Sequence, residues 1–468
     1  MGFPQTPFRR KLLGETLLIK SMNTPIIDFV NRYCLHEPLR LHMPGHKGQP
    51  HLAMEPFDIT EIAGADELYH PTGIIRESEE NAARLFGAAR TVYSAEGSSL
   101  CIRAMVYLAL LNGKSVGRKP LILAGRNAHK SFLSACALLD ADVKWLYPRD
   151  GDSLISCTID ETTLEAVFND IPEKPAAVYV TSPDYLGNLT DIKSLAAVCR
   201  RRAVPLLVDN AHGAYLKFLP EDRHPLTLGA DLCCDSAHKT LPVLTGGAYL
   251  HIGKNAPPLF SENADRAMAL FASSSPSYLI LQSLDACNAY LSAGYEERLS
   301  RLIESIDRLK QRLIQHGYSI IGDEPLKLTV SSKRYGYTGD ELHDLLRARS
   351  MESEFSDPDF LTMMFTPDTP ENDIARIEAA LLCVPRRSAL NLPPPPLPHS
   401  EKALSLREAA LSPGMEIPVS QAEGRILADA RLSCPPCVPI IAWGERIDRN
   451  AIHCFQYYGI ETCRVVEE

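Results

Sequence analysis

Two short runs of this sequence put reactive side chains where chemistry would use them. Residues 235–239 read Asp-Ser-Ala-His-Lys, directly after the apolar run Leu232-Cys233-Cys234, and the pair Gly246-Gly247 follows. Residues 204–213 read "VPLLVDNAHG", with Asp209 closing another apolar run. A lysine at the edge of an apolar sheet is poorly solvated as an ammonium. Its amine therefore loses its proton more readily and becomes a nucleophile toward a carbonyl. A carboxylate at the same edge must be paired or hydrogen-bonded. One partner for it is a protonated nitrogen in a heteroaromatic ring, and the plain alternative is an N-cap or loop aspartate.

Two further pieces lie upstream. Gly97-Ser98-Ser99 precedes a helical pattern, and free N–H groups at a helix start together with serine hydroxyls suit a phosphate. Taken alone, a serine N-cap is the commoner explanation of such a run. His129, in "RNAHKS", follows the apolar run "PLILAG", and by itself it reads as a satisfied loop histidine. The order of the four pieces along one stretch carries more than any of them: a Gly-Ser-Ser turn, a histidine, a strand-ending aspartate, and a strand-ending lysine thirty positions later. Such a set fits a lysine forming a Schiff base with a cofactor aldehyde whose phosphate sits on the serines.

The elements that must hold these residues are short apolar runs alternating with helical patterns. Residues 120–125, 176–182, 204–210 and 232–236 read as buried strands, and 99–113 and 192–203 as helices. The pattern predicts an α/β fold, a mostly parallel sheet with helices on both faces, whose ligands gather at the carboxyl ends of the strands. Residues 22–295 form the expected large unit, with 1–21 a disordered extension or misplaced start. Residues 296–388, opening on a long amphipathic helix pattern that stops at Gly317, read as a smaller α+β domain. The proline run within 389–400 reads as an extended linker, and 401–468 as a C-terminal α+β domain.

The 468 residues are 45% hydrophobic and 23% charged, with a net charge of -10 and a pI near 5.8. This balance disfavours a nucleic acid as main partner. No apolar run approaches the roughly 18–20 residues of a membrane helix. Thirteen cysteines, scattered through apolar segments with no secretion signal ahead of them, read as reduced thiols of a cytoplasmic protein. "CPPC" at 434–437 matches no standard zinc spacing and is taken as structural.

With these pieces in view the sequence resembles the ornithine/lysine/arginine decarboxylases, fold-type I enzymes dependent on pyridoxal 5'-phosphate. The resemblance rests on "LHMPGHKG" (41–48), "GADELYHPTGII" (64–75), "GSS" (97–99), "RNAHKS" (126–131), "TSPDYLGNLTDI" (181–192), "DNAHGAYL" (209–216), "DSAHKTLP" (235–242) and "SSSPSYLILQSLD" (273–285). It extends through "CPPCVPIIAWGE" (434–445) and so covers nearly the whole chain from Asn23. The resemblance implies that Lys239 is the Schiff-base lysine, that Asp209 pairs with the pyridine nitrogen and that His129 stacks on the ring. It implies that Ser98, Ser99, Ser236 and His238 bind the phosphate and that His212 positions the cofactor. It implies a homodimer in which "SSSPSY" reaches the neighbouring site. No counterpart of the N-terminal wing domain of longer members is found here, so a dimer is expected rather than a larger ring.

The sequence departs from the family pattern in places. The family more often has threonine in the Gly-Ser-Ser turn, glutamate at Asn210 and threonine at Asp184. Tyrosine and glycine are more usual at Cys434 and Cys437. The expected reaction is decarboxylation of arginine, lysine or ornithine, the small-molecule substrate. A buried cationic side chain needs a carboxylate at its far end, and Asp184 and Glu445 are the candidates; for Asp184 a turn-capping role weighs equally. An aminotransferase or lyase on the same scaffold is the alternative reaction, and a non-catalytic binding protein is the third reading, disfavoured by the intact Lys239 and Asp209.

Overall fold

A computed structural model describes residues 22–148, 154–429, 433–434 and 437–467. The expectation for residues 1–21 therefore lies outside the described residues. Seven strands make the main sheet: β1 (Arg90–Ser94), β2 (Leu121–Gly125), β3 (Asp142–Leu146), β4 (Ala177–Thr181), β5 (Leu206–Asp209), β6 (Leu232–Asp235) and β7 (Ala248–Ile252). They lie in the order β1-β7-β6-β5-β4-β2-β3. Neighbours from β3 to β6 are parallel, while β7 is antiparallel to both β6 and β1. Hence β7 alone runs backwards, and the other strands present their carboxyl ends at one edge.

The local chemistry explains the layering. Strands β4 to β7 are buried nearly throughout, as expected of strands covered by helices on both faces. Edge strand β3 alternates exposed and half-buried residues, a pattern a search for continuous apolar runs passes over. Helix Gly97–Ser115 buries Leu100, Cys101, Met105, Val106 and Leu108 on the sheet. Helix Pro25–Leu35 is pinned at its start by Asp285, which accepts the Ile26 and Ile27 N–H groups at 2.9 and 3.1 Å.

Helix Tyr295–His316 leads to a second sheet with order β10-β11-β9-β8, made of β8 (Ser319–Ile321), β9 (Lys327–Ser331), β10 (Phe355–Ser356) and β11 (Phe360–Met364). A Thr338 capping box opens helix Gly339–Arg347 beside it. Residues 389–400 hold no helix or strand, consistent with consecutive prolines that cannot donate to a ladder. Beyond them, Gly414–Pro418 pairs with Thr462–Val466, and helix Arg449–Tyr457 packs alongside. The apolar cluster there includes Val419, Leu427, Ile440 and Phe455, together with Leu186 and Phe355 from the preceding parts of the chain. The C-terminal segment is thus anchored against the loop after β4 and against the second sheet. Among the described residues no helix is long and apolar enough to cross a membrane.

Candidate active site

The carboxyl edge of the main sheet gathers the residues singled out above. Asp209 ends β5 and is buried. Its carboxylate accepts the Tyr179 hydroxyl at 3.0 Å and the Ala211 N–H at 3.2 Å, and the Cys234 thiol points to it. Three residues on, His212 is buried, and its Nε2 lies 2.9 Å from Nζ of Lys239. Lys239 sits in the one-turn helix Ala237–Thr240 that follows β6, with Ser236 at its N-cap. Burial pulls the Lys239 amine below its ordinary range, while the nearby Asp209 and Glu354 carboxylates work in the opposite direction. His212 is held well below the usual imidazole range, first by burial and then by the Lys239 charge.

A polar rim faces this pair. The Ser236 hydroxyl donates to Ser98 Oγ at 2.8 Å, and Ser99 Oγ lies 2.7 Å from Ser131 Oγ. Ser98 and Ser99 stand in the first turn of helix Gly97–Ser115, whose N-cap residue Glu96 makes no side-chain cap bond. The free N–H groups of that turn therefore remain for another acceptor. His129 caps helix Lys130–Leu139, its Nδ1 accepting the Ser131 N–H at 3.1 Å, and burial pushes this imidazole down to about 4. His238 Nδ1 lies 3.0 Å from the Gly247 carbonyl, which leaves its other nitrogen for a ligand. Gly246 has φ +99°, and a side chain there would approach the Ala95 carbonyl at 3.0 Å. Its own carbonyl accepts the Gly97 N–H at 2.7 Å, drawing the β6–β7 loop under the serine turn.

The set fits pyridoxal phosphate. It offers an amine, a buried carboxylate, a histidine between them, and serine hydroxyls beside uncapped helix N–H groups. Buried Nδ1 of His212, on the ring that meets Lys239, has no protein partner, as expected at the wall of a ligand site.

The structure places both substrate candidates. The Asp184 carboxylate is engaged by its own turn. It accepts the Leu186 and Asn188 N–H groups, both at 2.9 Å, and the Asn188 amide at 2.8 Å, and is buried within its own turn. Glu445 is likewise buried. It accepts the Ala442 N–H at 2.7 Å and lies 3.7 Å from the Arg126 guanidinium, under a cleft formed with Trp145, Tyr147 and Trp443. Besides Asp209, the carboxylate whose charge acts on Lys239 is that of Glu354, an exposed side chain that accepts the Tyr185 hydroxyl at 2.9 Å. No motif marks Glu354 in the sequence. Tyr185 lies within a quoted motif, and its ring meets His212 edge-on at 4.9 Å between centroids. Cys437 has φ +73° and its carbonyl accepts the Lys130 N–H at 2.9 Å, so the C-terminal segment touches the residue after His129. Pro435 and Pro436 lie outside the described residues.

Behind the site, His224, Asp235 and His251 form a fully buried trio. His224 Nε2 and His251 Nε2 lie 3.0 and 3.3 Å from Asp235 Oδ2. The Nδ1 of His224 accepts a backbone N–H, which places the proton on Nε2 and makes it a donor to the carboxylate rather than a metal ligand. Burial works to raise the Asp235 carboxyl, but the two histidines outweigh it and hold the group below the ordinary range. The other oxygen of Asp235 accepts the Asn210 amide at 2.7 Å, joining the ends of β5 and β6.

Fold and site together define an α/β enzyme of the fold-type I class. The Francisella novicida lysine decarboxylase LdcF superposes with a TM-score of 0.79 over 95% of this chain and 81% of that one, at 17% identity. In sequence, the uncharacterized protein YaaO of Bacillus subtilis is 30% identical over 92% of this chain and 93% of its own length. An arginine decarboxylase of the same organism is 29% identical over 92% of each. Residues 24–369 match the family described as Orn/Lys/Arg decarboxylase, major domain. The chain belongs to the Orn/Lys/Arg decarboxylase family.

Proposed function

We propose that this protein decarboxylates a basic amino acid with pyridoxal 5'-phosphate held on Lys239. The observation that carries this reading is the convergence of Lys239, His212 and Asp209 at one sheet edge, with Ser98, Ser99, Ser236, His129 and His238 around them and the Glu354 carboxylate facing in. When bound, the cofactor supplies an electron-withdrawing ring that accepts the electrons of the broken bond to the carboxylate.

The chain's own residues do the rest. Asp209, held by Tyr179 and the Ala211 N–H, keeps a proton on the ring nitrogen. The low-dielectric setting of Lys239 favours its neutral, nucleophilic amine. Ser98, Ser99 and Ser236 would donate to the phosphate, aided by the start of helix Gly97–Ser115, and His238, whose Nδ1–H is spent on the Gly247 carbonyl, would donate from Nε2 only as the imidazolium that a neighbouring phosphate favours. His129 would pack against the cofactor ring. Glu354 pairs with the far ammonium or guanidinium of the substrate, and the Tyr185 hydroxyl orients it. Arginine is the first substrate to test, because several Bacillus relatives are named arginine decarboxylases.

The working unit in this reading is a homodimer. Leu39, Leu41 and Leu52 are 83–84% exposed in one chain, an apolar display that a second copy would cover. Residues 273–278 stand close to the serine turn, where the Ser273 N–H donates to Glu96 at 2.7 Å. Measurement of carbon dioxide release from arginine, lysine and ornithine tests the reading. Release from one of them, with the matching amine, is expected. Transfer of the amino group to a keto acid without carbon dioxide would replace decarboxylation by transamination.

A further inference from the structure

Lys327 opens β9 in the second sheet, far from Lys239 in sequence, and is among the most deeply buried lysines described, 2% exposed. A buried ammonium needs a partner, and its Nζ lies 3.0 Å from the Glu324 carboxylate, which is equally buried. Glu324 also accepts the Tyr215 hydroxyl at 2.8 Å. The Lys327 ammonium donates in addition to the Asp184 carbonyl at 2.9 Å. Around this contact the turn after β4 is stitched to the second sheet. The Asp323 and Glu324 N–H groups both donate to the Gly187 carbonyl, and the Leu189 N–H donates to Asp323 at 2.9 Å. Gly187 has φ +89°, a left-handed conformation that favours glycine, and stands in van der Waals range of Glu324 and Lys327.

We propose that Lys327 and Glu324 are a positioning pair, through which the second sheet holds Tyr185 against His212 and brings a second ammonium into the surroundings of Lys239. The contacts form a continuous path. Lys327 Nζ lies 5.8 Å from the Tyr185 ring centre, the Tyr185 ring meets His212, and His212 meets Lys239. A buried polar or ionic strut is costly compared with an apolar one, and nothing in the packing of a sheet edge calls for a lysine there.

The charge has a direction of action. The groups that face Lys239 are Asp209, Glu354, Cys234 and Lys327, with His212 in contact and His129 and His238 nearby. Among these the Lys327 ammonium is a like charge, and it works to push both Lys239 and His212 toward their neutral forms. Lys327 in turn faces Glu324, the Asp184 carbonyl and the Tyr185 ring, and these contacts hold it in place.

The inference rests on the reading of Lys239 as the cofactor lysine, and the test separates the two. The full-length chain, freed of cofactor, is acetylated with acetic anhydride across a pH series. Labelling at Lys239 is read by mass spectrometry, with a thermal melt to verify folding. Lys327→Met alone would strand Glu324 in the core, so the neutral pair Lys327→Met/Glu324→Gln is used. The pair should melt cooperatively, and the labelling midpoint of Lys239 should move to higher pH, cutting labelling at a fixed pH by about threefold or more. Lys327→Arg, which keeps the charge, should restore the wild-type midpoint. An unchanged Lys239 midpoint in the folded double variant overturns the inference. So does a shift that Lys327→Arg reproduces, since that would mark a structural effect. Failure of borohydride to fix pyridoxal phosphate on wild-type Lys239, with the midpoint shifted as expected, would instead sink the cofactor reading and leave the charge coupling in place.

Discussion

Nε2 of His212 and Nζ of Lys239 lie 2.9 Å apart, although the two residues come from different loops at the ends of β5 and β6. The contact is set by the parallel pairing of these strands, which places Asp209 beside Cys234. It is reinforced by the Asn210–Asp235 bond one step behind. The amine is thereby held within reach of both the Asp209 carboxylate and the serine rim, the arrangement on which the following expectations depend.

Reduction with borohydride in the presence of pyridoxal phosphate should fix the cofactor to the peptide carrying Lys239. Lys239→Ala should abolish the fixation and the visible absorbance. Mass spectrometry showing the label on another lysine would end the assignment.

Asp209→Asn should retain the cofactor yet lower kcat by about a hundredfold or more, since a preorganised charge at the ring nitrogen is lost. The amide oxygen can keep the Ala211 N–H, and the amide NH2 can donate to the Tyr179 hydroxyl oxygen in place of the bond it formerly accepted, so the fold should survive. Near wild-type turnover would make Asp209 a structural residue.

Glu354 and Asp184 should separate in kinetics. Glu354→Gln should raise KM for the basic substrate on the order of ten- to a hundredfold, the loss of one charge-assisted contact worth about 1.5–3 kcal/mol. The exposed position of Glu354 makes little demand on stability. Asp184→Ala should instead lower the melting temperature, because it strands the Leu186 and Asn188 N–H groups in a buried turn, a loss of about 1–3 kcal/mol. A raised KM in a fully stable Asp184→Ala protein would return the substrate role to Asp184.

Glu79 supplies a pH dependence of stability. It is buried, one of its oxygens accepts the Tyr93 N–H, and burial pushes its carboxyl up to about 8. In the unfolded chain a glutamate titrates near 4.3. Between these values the folded protein holds a proton that the unfolded chain has lost, so this contribution is full below the lower value and is lost as pH rises through the upper one. Glu79→Gln should flatten that slope and melt higher than the wild type above pH 7, by about 1–3 kcal/mol. Parallel pH profiles for the two proteins would remove Glu79 from the account.

The sequence by itself determined the α/β character of the main sheet and the ordered set from Gly97 to Lys239. Asp209 closes its own apolar run, and His129 and Lys239 follow theirs within a few residues, so parallel strands bring them to one edge whatever the details of the connections. The same logic passed over β3, whose edge position produces alternation instead of a continuous apolar run, and over β1 and β7, which flank motif segments. It left Asp184 divided between a turn and a substrate role, since both uses place an aspartate after a proline. The tertiary structure supplied what local order could not: neighbouring N–H groups on the Asp184 oxygens, and the Glu354 and Lys327 charges in the surroundings of Lys239. Lys327 belongs to another sheet and Glu354 stands just before one of its strands, and their approach depends on how that sheet packs against the turn after β4. Such a contact is set by long-range burial and has no local signature in the order of residues.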